Sequence, residues 1–151
     1  MSISELAVKY RSKNLNEYVG NKAVKNALIA IRKKEEKPKV ILLYGNSGCG
    51  KTTAARLLAT EYMCENPTTE NGACGECFNC TEMLRYIETG KEVLDVHELN
   101  MADKNKREDM DAILTEALQP SFYKYKIYII DECHRISEAA QNRMLKIVEE
   151  P

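Results

Sequence analysis

The sequence predicts an α/β fold built on a parallel sheet. Three observations lead there. Short apolar runs at residues 40–44 and 127–130 have the length and composition of buried strands, and residues 93–99, which alternate Val, Leu, Val and Leu less regularly with Asp and His, read as another strand. Stretches of helical periodicity separate them, and strand–helix alternation is what parallel pairing requires. A glycine-rich loop opens directly at the end of the first run, and sheets of this class bind ligands at the carboxyl ends of their strands.

The elements follow in chain order. Residues 1–21 are polar and mixed, with Tyr10-Arg11 and Tyr18-Val19-Gly20 as local features. From residue 22 to 37, Ala23, Val24, Ala27, Leu28 and Ile31 recur at helical spacing, and Pro38 should stop that helix. The first apolar run and the glycine loop come next, then a helix from Lys51 to about Cys64. Residues 65–81 are rich in Asn, Thr, Gly and Cys and read as a loop or small insertion. A short helix at 82–89 should end at Gly90, before the second strand at 93–99. Met110, Ile113, Leu114 and Ala117 give residues 104–118 a helical face, which Pro120 closes. The third strand, 127–130, runs into Asp131, and Ser137 is suited to cap a last helix reaching Glu149.

The 151 residues are enough for one ordinary domain, 44% hydrophobic and 30% charged. Net charge is −1, so no overall field draws the chain to nucleic acid; such contact needs a local patch or partner subunits. No run of 18 apolar residues suggests a membrane span, and the N-terminus lacks the basic and apolar regions of a signal peptide. A cytoplasmic location is expected, where clustered cysteines stay reduced and serve metals better than disulfides.

Gly45-Asn46-Ser47-Gly48-Cys49-Gly50-Lys51-Thr52 has the glycine, lysine and threonine spacing of a phosphate-binding loop. Its backbone N–H groups can turn inward around phosphate oxygens, and the helix that follows adds its dipole. Lys51 should reach the terminal phosphates and the Thr52 hydroxyl should ligate Mg²⁺, with ATP spanning 45–53 through Thr53. Cys49 reads as a small filler contributing its backbone, with a redox-sensitive thiol at the helix N-terminus as the alternative. Asp131 and Glu132, at the end of an apolar strand, suit Mg²⁺ ligation and orientation of the attacking water. Lys51, Asp131 and Glu132 are thus the candidate catalytic residues.

Cys64, Cys74, Cys77 and Cys80 can close a tetrahedral Zn²⁺ site that supplies local folding energy to residues 64–80. The same Cys-x2-Cys-x2-Cys spacing also serves iron–sulfur clusters, although the ligand set favours zinc. Cys133 lies away from this group and reads as packing. His134 reads as a polar residue at a helix start, with polarisation of Glu132 as the alternative. His97 has no assigned role. Lys104, Lys106 and Arg107 beside Glu108 and Asp109 read as a solvated, charge-mixed face.

With these residues in place the chain resembles the bacterial DNA polymerase III clamp-loader gamma/tau family, whose members are AAA+ P-loop NTPases. The resemblance runs from Leu6-Ala7-Val8-Lys9-Tyr10-Arg11 through Tyr18-Val19-Gly20-Asn21, the phosphate loop, the four cysteines and Asp131-Glu132-Cys133-His134 to Leu145-Lys146-Ile147-Val148-Glu149-Glu150-Pro151. The zinc insertion is its most specific feature. It implies that residues 1–151 are the N-terminal part of an AAA+ ATPase domain carrying a zinc module at 64–80. Tyr10, Arg11, Val19 and Gly20 would border the adenine, and Lys104 would face the DNA backbone. Other subunits in a pentameric ring, a sliding clamp and primer-template DNA would be the partners.

Ser12 stands where the family has proline, Asn21 where it has glutamine, and Asn100-Met101-Ala102-Asp103 where it has Asp-Ala-Ala-Ser. These substitutions fit a divergent bacterial or phage relative. The family continues past Glu149-Glu150-Pro151 with a strand that fills the middle of the sheet. The resemblance therefore implies a sheet incomplete at the C-terminus and an isolated chain that hydrolyses ATP poorly. A non-hydrolysing ring member of the delta-prime kind is the competing reading, against which the intact Lys51, Thr52, Asp131 and Glu132 argue. Another DNA-associated AAA+ ATPase is a third, against which the cysteines argue.

Overall fold

The computed structural model describes residues 12–68, 72–102 and 107–149. The chain divides into two compact units, Met1–Pro38 with Leu42–Val93, and Lys39–Ile41 with Leu94–Pro151.

The first unit is helical. Helix α1 spans Lys22–Lys33, with the Asn21 side chain accepting from the Ala23 N–H at 2.9 Å. It stops before Pro38 because Lys34 turns extended at ψ 138 and the Lys37 ammonium takes the carbonyls of Arg32 and Lys34. A cation on the last carbonyls terminates a helix favourably. Helix α2, Lys51–Met63, starts from Gly50 at φ 90, a left-handed conformation that favours glycine. It is buried at Ala54, Leu57, Leu58, Ala59, Thr60, Glu61 and Met63, almost all round, as a central helix should be.

Helix α3, Phe78–Thr89, begins one turn earlier than the composition of 65–81 suggests. Asn79, Cys80, Met83, Tyr86 and Ile87 are buried at helical spacing, so Asn79 and Cys80 belong to its inner face. The buried Asn79 amide donates to the Met63 carbonyl at 3.0 Å, satisfying an orphan group at the end of α2. Gly90 closes α3 in the left-handed region.

The second unit carries the sheet. Strand β1, Val96–Asn100, pairs in parallel with β2, Ile127–Asp131, in a register that sets Leu99 beside Ile130 and Asn100 beside Asp131. Helix α4, Arg107–Ala117, connects them, and α5, Glu138–Glu149, follows. Leu99, Met101, Met110, Ile113, Ile136 and Ala140 form the core, with Tyr128, Ile130 and Met144 against it. Ser137 begins α5 as expected, its hydroxyl accepting from the Ala140 N–H at 3.4 Å.

The α/β class is observed as five helices and a two-stranded parallel sheet among the described residues. The first expected strand differs. Residues 40–44 form no strand, and Val40, Leu42 and Tyr44 are 55, 71 and 90% exposed. An apolar run becomes a strand only when a neighbour takes its backbone N–H and C=O groups, and among the described residues the ladder joins β1 to β2 alone.

Candidate functional site

The glycine loop expected to bind phosphate takes its shape from its glycines. Gly45, Gly48 and Gly50 all have positive φ, at 151, 76 and 90°. At Gly50 a side chain would also meet the Tyr18 hydroxyl at 3.2 Å. Tyr18 is buried, and its ring lies equally close to Gly20, so it backs both the loop and the preceding Val19-Gly20 segment. Nothing in the sequence signals that role for Tyr18. Val19 is 93% exposed, leaving this ledge open.

Lys51 folds back across the loop. Its ammonium donates to the carbonyls of Gly45 at 3.0 Å and Asn46 at 2.9 Å. The cation thus sits where the backbone turns, held by neutral acceptors that an anion can outcompete. Thr52 and Thr53 occupy the first turn of α2, half-buried. Cys49 is exposed rather than packed away, with its sulfur close to the face of Gly45. Asn46, Ser47 and Gly48 form the exposed tip. Tyr10, Arg11 and Lys104 lie outside the described residues.

In the second unit, the Met101 N–H donates to the Asp131 carbonyl at 3.1 Å, which extends the ladder to the end of β2 and fixes Asp131 there. The Asp131 carboxylate accepts from the Glu132 N–H at 2.9 Å. Glu132 then adopts φ 54, a left-handed conformation costly for a side-chain-bearing residue, before a 3-10 turn at Cys133–Arg135. That reversal turns the Glu132 carboxylate toward its own turn, where His134 Nε2 stands 3.4 Å away and Arg135 Nε 3.9 Å away. Cys133, expected as packing, is exposed because this turn leaves the sheet. His97 stacks on Tyr128 at 4.9 Å and approaches Glu116 at 3.3 Å, a structural use.

The four cysteines of the insertion converge. Their sulfurs all lie within 4.8 Å of one another, and Cys74 and Cys80 are 3.9 Å apart. Zn–S bonds of about 2.3 Å in a tetrahedron give S···S edges of roughly 3.8 Å, so the donor set fits zinc. Cys64 is the cap residue at the end of α2 and Cys77 the cap residue before α3, while Cys80 lies in the first turn of α3. Cys74 and its loop are shaped by N–H···S bonds: the Cys74 N–H donates to Cys64 sulfur, and the Cys77 N–H to Cys74 sulfur, each at 3.3 Å. N–H donors from Glu76 and Cys77 bring the Cys74 thiol down to about 7. Burial pushes the Cys64 and Cys80 thiols up. A divalent cation would reverse that penalty by supplying the compensating charge.

A family model described as DNA polymerase III, delta subunit, matches residues 20–151. The chain is 37% identical over 152 residues to the DNA polymerase III subunit tau of Escherichia coli, covering all of this chain and 23% of that protein. It is 35% identical over 156 residues to the DNA polymerase III subunit gamma of Buchnera aphidicola from Baizongia pistaciae, covering all of this chain and 40% of the relative. It is also 33% identical over 153 residues to Protein STICHEL-like 1 of Arabidopsis thaliana, covering 99% of this chain and 13% of that protein. The chain thus spans 40% or less of the length of these relatives. Glycine loop, thiol cluster and the similarity that runs along this chain converge: the chain belongs to the DNA polymerase III delta-subunit family and resembles the gamma and tau subunits of that polymerase.

Proposed function

We propose that this chain is the N-terminal part of an AAA+ ATPase domain, residues 1–151, acting as the nucleotide-binding portion of a DNA polymerase III clamp loader. The observation that carries the reading is the glycine loop opening onto α2, with the Lys51 ammonium held by the Gly45 and Asn46 carbonyls. On this reading ATP is bound by residues 45–53, with Tyr10, Arg11, Val19 and Gly20 beside the adenine. Lys51 meets the terminal phosphates, and Mg²⁺ ligation is assigned to Thr52 and Asp131. Glu132 orients the attacking water, for which it must leave His134 and Arg135. Cys64, Cys74, Cys77 and Cys80 hold Zn²⁺ in a structural module at 64–80. The metal contributes fixed positive charge and four bonds that hold that loop.

The partners on this reading are other clamp-loader subunits in a pentameric ring, the sliding clamp, and primer-template DNA approached through Lys104. Its setting is the cytoplasm. No described helix is long and apolar enough to cross a membrane. A non-hydrolysing ring member would have no use for Lys51 over the loop or for Glu132 after the strand, so the hydrolysing role is preferred. The test is capture of the sliding clamp by the assembled loader with and without ATP, alongside phosphate release. Clamp capture indifferent to ATP, with no phosphate released, would sink the proposal.

A further inference from the structure

Beside the thiol cluster lies an ion pair that neither nucleotide binding nor metal ligation accounts for. Arg32 of α1 and Glu61 of α2 meet with an Nη1···Oε1 distance of 3.9 Å, their side chains only 6 and 1% exposed. A buried pair of this kind adds little net stability, because desolvating both charges offsets their attraction. What Glu61 does beyond pairing is specific. Its second oxygen accepts the Ala73 N–H at 2.7 Å, in the residue immediately before Cys74. The loop closes onto this carboxylate through Gly72. Thr68 and Gly72 form a two-bond antiparallel bridge, 2.8 and 3.0 Å. Gly72 sits at φ 81, where an added Cβ would come within 2.4 Å of Arg32 and 2.5 Å of both Glu61 oxygens.

We infer that Glu61, held in place by Arg32, is a positioning residue for the metal loop: it fixes the Ala73 peptide and thereby presents Cys74 to its three partner thiols. The inference rests on the thiolate-site reading above. The route is short. The Ala73 N–H is tied to α2, the next N–H is tied to Cys64 sulfur, and Cys74 sulfur in turn accepts from Cys77. Met63, two residues beyond Glu61, is held by Asn79 of α3, one residue before Cys80. The ligands at both ends of the insertion are therefore anchored to the last turn of α2, and Glu61 is the anchor for the loop between them. Arg32 neutralises the carboxylate so that it can accept that bond while buried.

The test separates the acceptor atom from the charge. The full chain is loaded with zinc, and two double variants are compared, Arg32→Met with Glu61→Gln, and Arg32→Met with Glu61→Leu. Both remove the ion pair; only the first keeps an oxygen for Ala73. Zinc affinity is read by competition with a chromophoric chelator, and the Co²⁺-substituted forms report ligand geometry through their visible bands. The glutamine variant should hold zinc within about twofold of the parent and the leucine variant roughly 10–100-fold more weakly, the usual cost of removing a group that orients a ligand. Gly72→Ala, which pushes into the same head groups, should weaken zinc in the same direction, with circular dichroism establishing that each variant is folded. Parental affinity in the leucine variant, or equal loss in both, would overturn the inference while leaving the metal site standing. A parent that binds neither zinc nor Co²⁺ would overturn the site itself and this inference with it.

Discussion

Replacing Lys51 with alanine is the sharpest perturbation of the phosphate loop. In the free protein its ammonium contributes two hydrogen bonds to exposed carbonyls, at 3.0 and 2.9 Å, so the fold loses little when it goes. With nucleotide bound, the same ammonium would exchange neutral carbonyls for a phosphate oxygen, and a charge-assisted bond of that kind contributes about 1.5–3 kcal/mol. At about 1.4 kcal/mol per decade, Mg²⁺-ADP should bind roughly 10- to 150-fold more weakly to Lys51→Ala. Isothermal titration calorimetry on parent and variant measures this directly, with circular dichroism confirming an unchanged helix content. Equal affinity in the two proteins would mean that Lys51 remains on its own loop in the complex, and the phosphate assignment would be wrong.

The remaining predictions concern separate parts of the molecule. Cys77→Ser should lower zinc content and loosen residues 64–80 while leaving nucleotide affinity intact; metal analysis of the parent should find zinc, and an iron–sulfur absorption band would contradict the assignment. Glu132→Gln should bind ATP as the parent does, since its role is with water, yet abolish phosphate release in the assembled loader; normal turnover would remove Glu132 from the mechanism. Tyr128 has a buried hydroxyl with no hydrogen-bond partner among the described residues, so Tyr128→Phe should leave stability within about 0.5 kcal/mol or raise it in urea unfolding. Burial raises the Tyr128 phenol to about 12. Stability should therefore fall as pH rises above 10, where the unfolded phenol ionises and the folded one does not, and Tyr128→Phe should lessen that fall.

The loop and the cysteines were legible because each is a local pattern with its own chemistry. Glycines at 45, 48 and 50 announce positive φ, and four thiols within a short segment announce a shared partner. Strand β2 was equally plain, since four apolar residues running into Asp131 mark the element. What escaped depended on long-range contacts. The first turn of α3 was hidden in a cysteine- and asparagine-rich stretch, because the burial that makes Asn79 and Cys80 helical comes from α2. Residues 40–44 have strand composition, but a strand also needs a neighbour, which composition does not specify. The Arg32–Glu61 pair is separated by 29 residues and looks in the sequence like two ordinary surface charges. The turn of Glu132 toward His134 depends on one backbone angle that no motif encodes.

Helix α2 has a mechanical consequence. Its first residue is the loop lysine and its C-terminal cap is the first cysteine of the thiol cluster, so one rod of 13 residues, about 20 Å long, joins the two candidate sites. A rod of that length converts small rotations into measurable travel: tilting its loop end by about 5° sweeps the far end through nearly 2 Å. On the reading proposed above, any tilt of α2 at the glycine loop would be carried to Cys64 and so to the thiol cluster it joins.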